Sequence, residues 1–507
     1  MSRTKNSIAN SLFGIAGSLL SVVISFVVRF ILIKTLGEEI NGLHNLFQNI
    51  TNVLLLMELG ISSAMIIHLY EPVTTGDEEQ MAGILSFYRT VYRYIALAFF
   101  LTSIVVSLFF LKHLVHTTLP FHQVQLYFQL FNLTFVLNYL TNYKRSLLFA
   151  AQKNRVSVFF NSVAELTFRI VQILSLLMFK AYLFFLILTI VEKLMSNLLC
   201  NRYIDRHYPF LRQTGQELAS SKRQAIMTTV KSLMLNNVAG TVQQSSRSLL
   251  ISMLLGNISI VGYYGNYQLI ISVVELIYSQ IGGALTSSFG SLAIEKDQQR
   301  LQAAYKKAAF VLNWLAAICC AGFLICVQDF IQLLFGEGSL LEFSSVLLLT
   351  FGLMLYLLNI PIISLQNALG LHHLDAYYML LQAGLAVAFG YVGGLVFGMA
   401  GIFAGMILPL LWLTVIRKGM VVSAYALGMS HRSYLSFLSY ESLKILLVSL
   451  VAYFMVSCLG LNLSFMTLII KAFLVLIVGL TLPAFLSSRQ TELAYVWKLL
   501  QHRLQKK

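Results

Sequence analysis

Charge is what this chain has least of. Of 507 residues, 35 are lysine or arginine and 20 are aspartate or glutamate, so only 11% are charged, against about 25% in soluble proteins. Hydrophobic residues make up 58%, and the mean hydropathy is +0.78. A chain this apolar cannot present a charged surface to water. That excludes a soluble globular protein and implies an all-α polytopic membrane protein.

Other absences narrow the function. The five cysteines (Cys200, Cys319, Cys320, Cys326, Cys458) have no metal-ligand spacing and no extracellular pattern, which argues against a zinc site or a disulfide framework. No G-x-x-x-x-G-K-[ST] occurs, so ATP is not bound through a P-loop, and no H-E-x-x-H occurs. His113, His116 and His122 cluster near one loop without a metal-site pattern. No loop is long enough for a soluble catalytic domain. The expectation is a protein that is not an enzyme and carries no cofactor or metal.

What is there is a succession of apolar runs. A membrane span needs about 20 such residues. Fourteen candidates are found, at 8–36, 42–69, 88–111, 123–146, 155–179, 181–201, 225–255, 261–290, 304–327, 342–366, 375–397, 400–416, 437–460 and 463–486. Arg3 and Lys5 precede the first run as in a signal peptide, but that run continues to Leu36 and reads as a span. With the N-terminus inside, the inner loops collect most of the lysine and arginine, while the outer loops hold only Lys34, Lys112 and Lys180. This asymmetry predicts an even number of spans with both termini cytoplasmic. The net charge of +15 is then explained by cytoplasmic loops facing anionic lipid, with no nucleic acid implied.

The chain also repeats. From Gly42 and from Gly262 two stretches run in register without gaps: Phe47 matches Tyr267, Gln48 matches Gln268 and Ile50 matches Ile270. Upstream, Arg29 precedes Gly37 much as Arg247 precedes Gly256, each about 12 Å along a helix from its glycine. The predicted organisation follows: a six-helix lobe at 1–201, a basic cytoplasmic linker at 202–224, a second six-helix lobe at 225–416, two further helices within 417–486 and an amphipathic cytoplasmic tail at 487–507. Gly390, Gly394, Gly398, Gly401 and Gly405 have the spacing of close helix contacts.

A charge inside a span costs several kcal/mol, so it is rarely idle. Arg29, Arg145, Arg169, Lys231 and Arg247 are the cations at membrane depth. Guanidinium offers forked donors that match phosphate oxygens and stays charged in apolar surroundings. Snorkelling, a structural ion pair or a plain positive-inside charge is the competing reading, and Glu165, four residues before Arg169, is its natural partner. Glu58 and Glu275, the buried acids of the two repeat copies, serve either as a proton or sodium coupling site or as counter-ions. Lys444 and Lys471 touch a lipid head group, or snorkel, or in the case of Lys444 pair with Glu441.

The run FILIKTLGEEINGLHNLFQNITNVLLLMELGISSAMIIHLYEP resembles the first two helices of bacterial polysaccharide repeat-unit flippases, of the multidrug/oligosaccharidyl-lipid/polysaccharide exporter superfamily. The run SLLISMLLGNISIVGYYGNYQLI is similar to that family's seventh and eighth helices, and the likeness in helix number and loops extends over essentially the whole chain. It differs at Ser246-Arg247, near where the family often has an acid, which makes the site more cationic. The resemblance implies two six-helix lobes around a central cavity plus two C-terminal helices. It implies alternating access that moves an undecaprenyl-diphosphate-linked oligosaccharide from the inner to the outer leaflet of the bacterial cytoplasmic membrane, for capsule or exopolysaccharide assembly. The expected partners are that lipid-linked substrate, anionic membrane lipid and a coupling ion, proton or sodium, and the expected state is a monomer. Within the same architecture, the alternatives are a peptidoglycan lipid-precursor flippase and a cation-coupled multidrug exporter.

Overall fold

Gly37 breaks the first long helical stretch of the chain. Its φ of 85° lies in the left-handed region, which glycine reaches without steric cost. The helix before it is α1 (3–36). The helix after it is α2 (38–75), itself interrupted near Gly60, where φ is 90°. A computed structural model describes residues 3–58, 60–212, 218–295, 297–460 and 462–488. Side chains are described throughout these except at 3–20, 22, 57, 212, 221, 225, 231–239 and 294. The predicted tail at 487–507 lies almost wholly outside the described residues.

Twelve more helices follow. They are α3 (Glu78–Leu114), α4 (Phe121–Asn142, continued by Arg145–Ala150), α5 (Asn154–Phe179), α6 (Tyr182–His207), α7 (Ser220–Leu255) and α8 (Ile258–Ile294). Then come α9 (Gln298–Phe335), α10 (Phe343–Leu369), α11 (376–396), α12 (399–427), α13 (His431–Cys458) and α14 (Phe465–Leu486). No strand occurs among the described residues. Nine continuous stretches among them are long and apolar enough to cross a membrane, α11 and α12 together forming one. The protein is a multi-pass all-α membrane protein.

Each expected span has its helix, and most helices overrun the apolar run that predicted them. The clearest extension is α12, expected at 400–416 but running to Leu427. Arg417 and Lys418 mark its end in the sequence. In the structure both cations lie inside the helix and meet Asp375, at 3.1 and 3.3 Å, and the Arg417 guanidinium lies over the ring of Tyr378. Their charge is neutralised without leaving the helix.

Contacts divide the chain at Gly262 into two units, 1–262 and 263–507, so α7 packs with the first unit. There the 3–54 stretch packs on α5 and α7, α4 packs on α3 and α6, and α5 packs on α6. A buried aromatic and aliphatic core around Tyr88, Phe99, Leu147 and Ile204 joins the ends of α2, α3, α4 and α6. In the second unit α9 is central and touches α10, α13 and α14. Trp314 on α9 donates to the carbonyl of Gly479 on α14 at 2.7 Å.

Glycines set two close crossings. A Cβ on Gly42 would lie 2.1 Å from the carbonyl oxygen of Ile258, and one on Gly262 would lie 2.8 Å from that of Glu38. The two glycines that anchor the sequence repeat are therefore the residues at which α2 and the start of α8 meet backbone to backbone. In the second unit α11 and α12 fold back at Gly398, with φ 58°, and touch through Gly393, Gly401 and Gly405. Close helix contact is the expectation there. Gly393, absent from the predicted stripe, takes part, whereas Gly398 forms the turn.

Candidate functional site

The polar interior of the first unit is built on α1, α2, α5 and α6. Arg29 Nε donates to Asn41 Oδ1 at 3.0 Å. Asn41 Nδ2 donates to Glu38 Oε2 at 2.8 Å and to the carbonyl of Gly262 at 3.3 Å. Arg29 is thus tied to the glycine crossing through one side chain, with Glu38 close by as its counter-charge. Glu165 accepts from Ser21 at 2.6 Å, which joins α5 to α1. One turn on, Arg169 stands 3.9 Å from Glu165, an ion pair too long for a hydrogen bond. Its Nη1 donates to Gln172 at 3.0 Å, and Gln172 donates to Thr189 on α6 at 2.8 Å.

His44 is close enough to both arginines to feel the field of each. Its Nδ1 is 2.9 Å from the Tyr182 hydroxyl, and the rings of Phe131, Tyr182 and Phe185 meet it edge-on. Counting charges alone overlooks this histidine. A signal was present: Asn41, His44, Asn45, Gln48 and Asn52 recur at helical spacing and form a polar stripe along an otherwise apolar span.

Arg145 belongs to a different place. At the start of the short helix after α4, it donates to Asn161 at 2.5 Å and Ser157 at 3.3 Å on α5, and to Ser196 on α6 at 2.8 Å. It clamps the ends of three helices with neutral partners. Arg247 on α7 is half-buried and makes no hydrogen bond or ion pair among the described residues. Lys231 lies on α7 as expected, but its side chain is outside the described residues.

The predicted acids separate. Glu165 pairs with Arg169. Glu58 accepts from the Tyr92 hydroxyl at 3.1 Å, and Ser62 is its second partner. It lies about 25 Å along the helical path from Asn41, so it is no counter-ion to Arg29; Glu38, not singled out in the sequence, stands there. Glu275 lies in the second unit, near Tyr356. A pair inside α6, Glu192 with Lys193 at 2.9 Å, also escapes a reading of the sequence alone. In the second unit Lys444 pairs with Glu441 at 2.7 Å, one of the readings left open for it. Lys471 does not snorkel: it meets Asp329 of α9, in a cavity of about 280 Å³ between α9, α13 and α14.

The cluster around His44 is therefore not a bare cation site. Each of its two arginines has an acid near it. What it retains is donor capacity: among the described residues Asn45 Nδ2 and Arg169 Nε are buried and have no acceptor, as is Arg145 Nε at its separate site. No group of three or more metal-ligating side chains occurs among the described residues.

No protein-family model and no curated protein sequence matches the chain. Its fold is shared with solved structures. A lipid II flippase MurJ, in an inward closed conformation, aligns with a TM-score of 0.70 at 13% identity over 95% of this chain and 99% of that one. An inward-facing multidrug resistance MATE family transporter of the MOP superfamily aligns with a TM-score of 0.63 at 12% identity, over 82% of this chain and 95% of that one. A MOP superfamily transporter from Pyrococcus furiosus gives 0.56 at 12% identity, over 84% and 97%. These neighbours are transporters and flippases, and the chain has their all-α membrane fold.

Proposed function

We propose that the chain is a flippase that carries undecaprenyl-diphosphate-linked oligosaccharide repeat units from the inner to the outer leaflet of the bacterial cytoplasmic membrane, for capsule or exopolysaccharide assembly. It works by alternating access with both termini cytoplasmic. The observation that supports this reading is the buried guanidinium donor with no acceptor among the described residues, Arg169 Nε, together with the half-buried side chain of Arg247, which makes no hydrogen bond or ion pair there. A buried donor without an acceptor costs about 1–3 kcal/mol. Diphosphate and sugar oxygens are acceptors that would relieve it, and a guanidinium fork matches phosphate oxygens bidentately.

A lipid substrate is favoured over a drug by the C-terminal helix pair. The MurJ alignment covers 95% of this chain, and the small remainder is too short to hold α13 and α14, of 28 and 22 residues. The MATE alignment covers 82%, and its larger remainder is long enough to omit both. The second reading, a peptidoglycan lipid-precursor flippase, is supported by the same MurJ alignment. No P-loop is present to use ATP, so an ion gradient or the membrane potential is the energy source, with Glu58 and Glu275 as the acids through which a proton or sodium would couple.

The test uses purified protein in proteoliposomes loaded with a polyprenyl-diphosphate oligosaccharide or with a peptidoglycan precursor lipid, plus an impermeant glycosidase or lectin to score exposure of the glycan. Wild-type protein exposes the oligosaccharide lipid. Arg169→Gln and Arg247→Gln each slow exposure by about tenfold, the equivalent of one lost charged hydrogen bond. Unchanged rates in both variants overturn the site. Exposure of only the peptidoglycan precursor selects the second reading, and export of an organic cation with neither lipid moved overturns both.

A further inference from the structure

Two arginines that the transport reading leaves unused stand a turn apart on α3. Along that helix, Arg93 and Lys112 bracket an uncharged run, 94–111. The run covers about 27 Å, close to the roughly 30 Å of a hydrocarbon core. Arg93 therefore sits at one edge of the apolar layer, and Arg89 lies about 6 Å further outward. By the charge asymmetry of the loops this is the cytoplasmic edge. Both side chains are exposed, and neither makes a hydrogen bond or ion pair among the described residues.

They line a cavity of about 170 Å³ with Lys144, Tyr143, Ser86 and Thr90. Like charges at i and i+4 repel one another on a helix. The acid that reaches this group is Asp205, 2.5 Å from Lys144, so three cations face one carboxylate among the described residues. An anion between the two guanidiniums would relieve that repulsion and take up their free donors. The cavity is smaller than the roughly 300 Å³ at which pockets for drug-sized molecules begin. It has room for a phosphate with hydroxyl donors around it, while the ester substituents of that phosphate extend outward at lipid depth.

We propose that the α3 cavity is a binding site for the phosphate of an anionic glycerophospholipid of the inner leaflet, held by Arg89 and Arg93 with Lys144 behind them. The proposal rests on the membrane-spanning fold and stands whether or not the transport reading does. The same phosphate chemistry has a second source, the diphosphate of a polyprenyl-linked glycan arriving from the cytoplasmic leaflet, and the experiment separates the two.

Purified full-length protein in a neutral detergent is titrated with phosphatidylglycerol, phosphatidylcholine or a polyprenyl diphosphate, with melting temperature and native mass spectrometry as readouts. Phosphatidylglycerol raises the melting temperature of the wild type and stays bound as discrete adducts, and phosphatidylcholine does neither. Arg89→Gln with Arg93→Gln weakens that apparent affinity by about 25-fold, taking about fivefold per arginine facing an anionic lipid. A control pair, Arg202→Gln with Arg206→Gln, removes equal charge at equal spacing from the exposed end of α6 and weakens it by less than about fivefold. Equal losses in the two pairs reduce the effect to general surface charge and overturn the site. Retention of the polyprenyl diphosphate with no phosphatidylglycerol adduct overturns the resident-lipid assignment. Neither pair breaks an internal bond, and each loses a like-charge i,i+4 repulsion, so melting in lipid-free detergent is not lowered by either pair.

Discussion

The Gly42–Gly262 crossing makes a prediction whose sign can be read from geometry. Alanine is the better helix former by about 1 kcal/mol, so at a helical glycine with space around it the substitution to alanine stabilises. Gly240 on α7 is such a place, with nothing within 4 Å of the added carbon. At Gly42 the added carbon would sit 2.1 Å from the Ile258 carbonyl oxygen, and ordinary contact begins at 3.4 Å. Backbone meets backbone there, so α2 and the start of α8 must part by the difference between those two distances. At Gly262 the closest atom is 2.8 Å away, a smaller shortfall, and one of the neighbours is a side-chain atom, Glu38 Oε2 at 3.0 Å. Overpacking costs about 1–3 kcal/mol, and Gly42→Ala belongs at the top of that range. At about 2–4 °C per kcal/mol, it should melt roughly 6–12 °C lower in detergent, Gly262→Ala a few degrees lower, and Gly240→Ala no lower than wild type. Scanning fluorimetry on the three purified variants checks the order. A Gly42→Ala protein that melts with or above Gly240→Ala would show that the two helices do not cross at this glycine.

Two further outcomes follow from other contacts. Lys444 and Glu441 are both buried and paired, so removing one partner leaves a buried charge and costs about 3–5 kcal/mol. Lys444→Met should therefore melt well below wild type, the double variant with Glu441→Leu should recover most of the loss, and additive losses on melting would refute the coupling. Glu39, just past the Gly37 turn, holds the loop after α3: it accepts from Thr117 Oγ1 at 2.5 Å and from the Thr118 amide at 2.6 Å. Partial burial pushes its carboxyl upward, and the bonds from Thr117 and Thr118 outweigh that push, so it titrates below its ordinary 4.5. A carboxyl lowered in the folded state adds stability above its unfolded pKa and loses it as pH falls through the folded one. Wild type should then be stabilised relative to Glu39→Gln at pH 6, with the gap narrowing as the pH falls below the ordinary 4.5. A gap of constant size in a melting series from pH 7 to pH 3.5 counts against this reading.

Helix number and order were legible because the physics behind them is local. Lipid-depth helices must satisfy their own backbones, so apolar length marks each one. Helix ends were less legible, since many helices continue past the apolar layer. At α12 the charges Arg417 and Lys418 looked like a loop only because Asp375, 42 residues away from Arg417, could not be seen beside them. The glycine repeat carried more than its apolar neighbours did. Gly42 and Gly262 were legible as matched positions, and the backbone contact between their helices explains why neither bears a side chain.

The site was half legible for a related reason. A sequence displays charges but not their partners, and in a low-dielectric interior the partner decides what a charge is for. An arginine held in a span costs a few kcal/mol on insertion scales, and Glu38 and Glu165 offset that for Arg29 and Arg169. Glu165 was recognisable at i−4, whereas Glu38 works through Asn41, whose importance only folding reveals. On the proposed reading, these acids also limit how a phosphate could bind. A fully matched Arg–Glu pair leaves no donor for an anion, so a transport site needs arginines that are stabilised but incompletely satisfied. Arg169 meets that condition, because its pair at 3.9 Å supplies charge balance without consuming Nε. Arg29 is bound more tightly, through Asn41, to the crossing of α2 and the first turn of α8. On the proposed transport reading the two arginines, alike in the sequence, divide the work: Arg169, with Arg247, is the one proposed to offer donors to the cargo, while Arg29 ties the polar cluster to the helix crossing through Asn41.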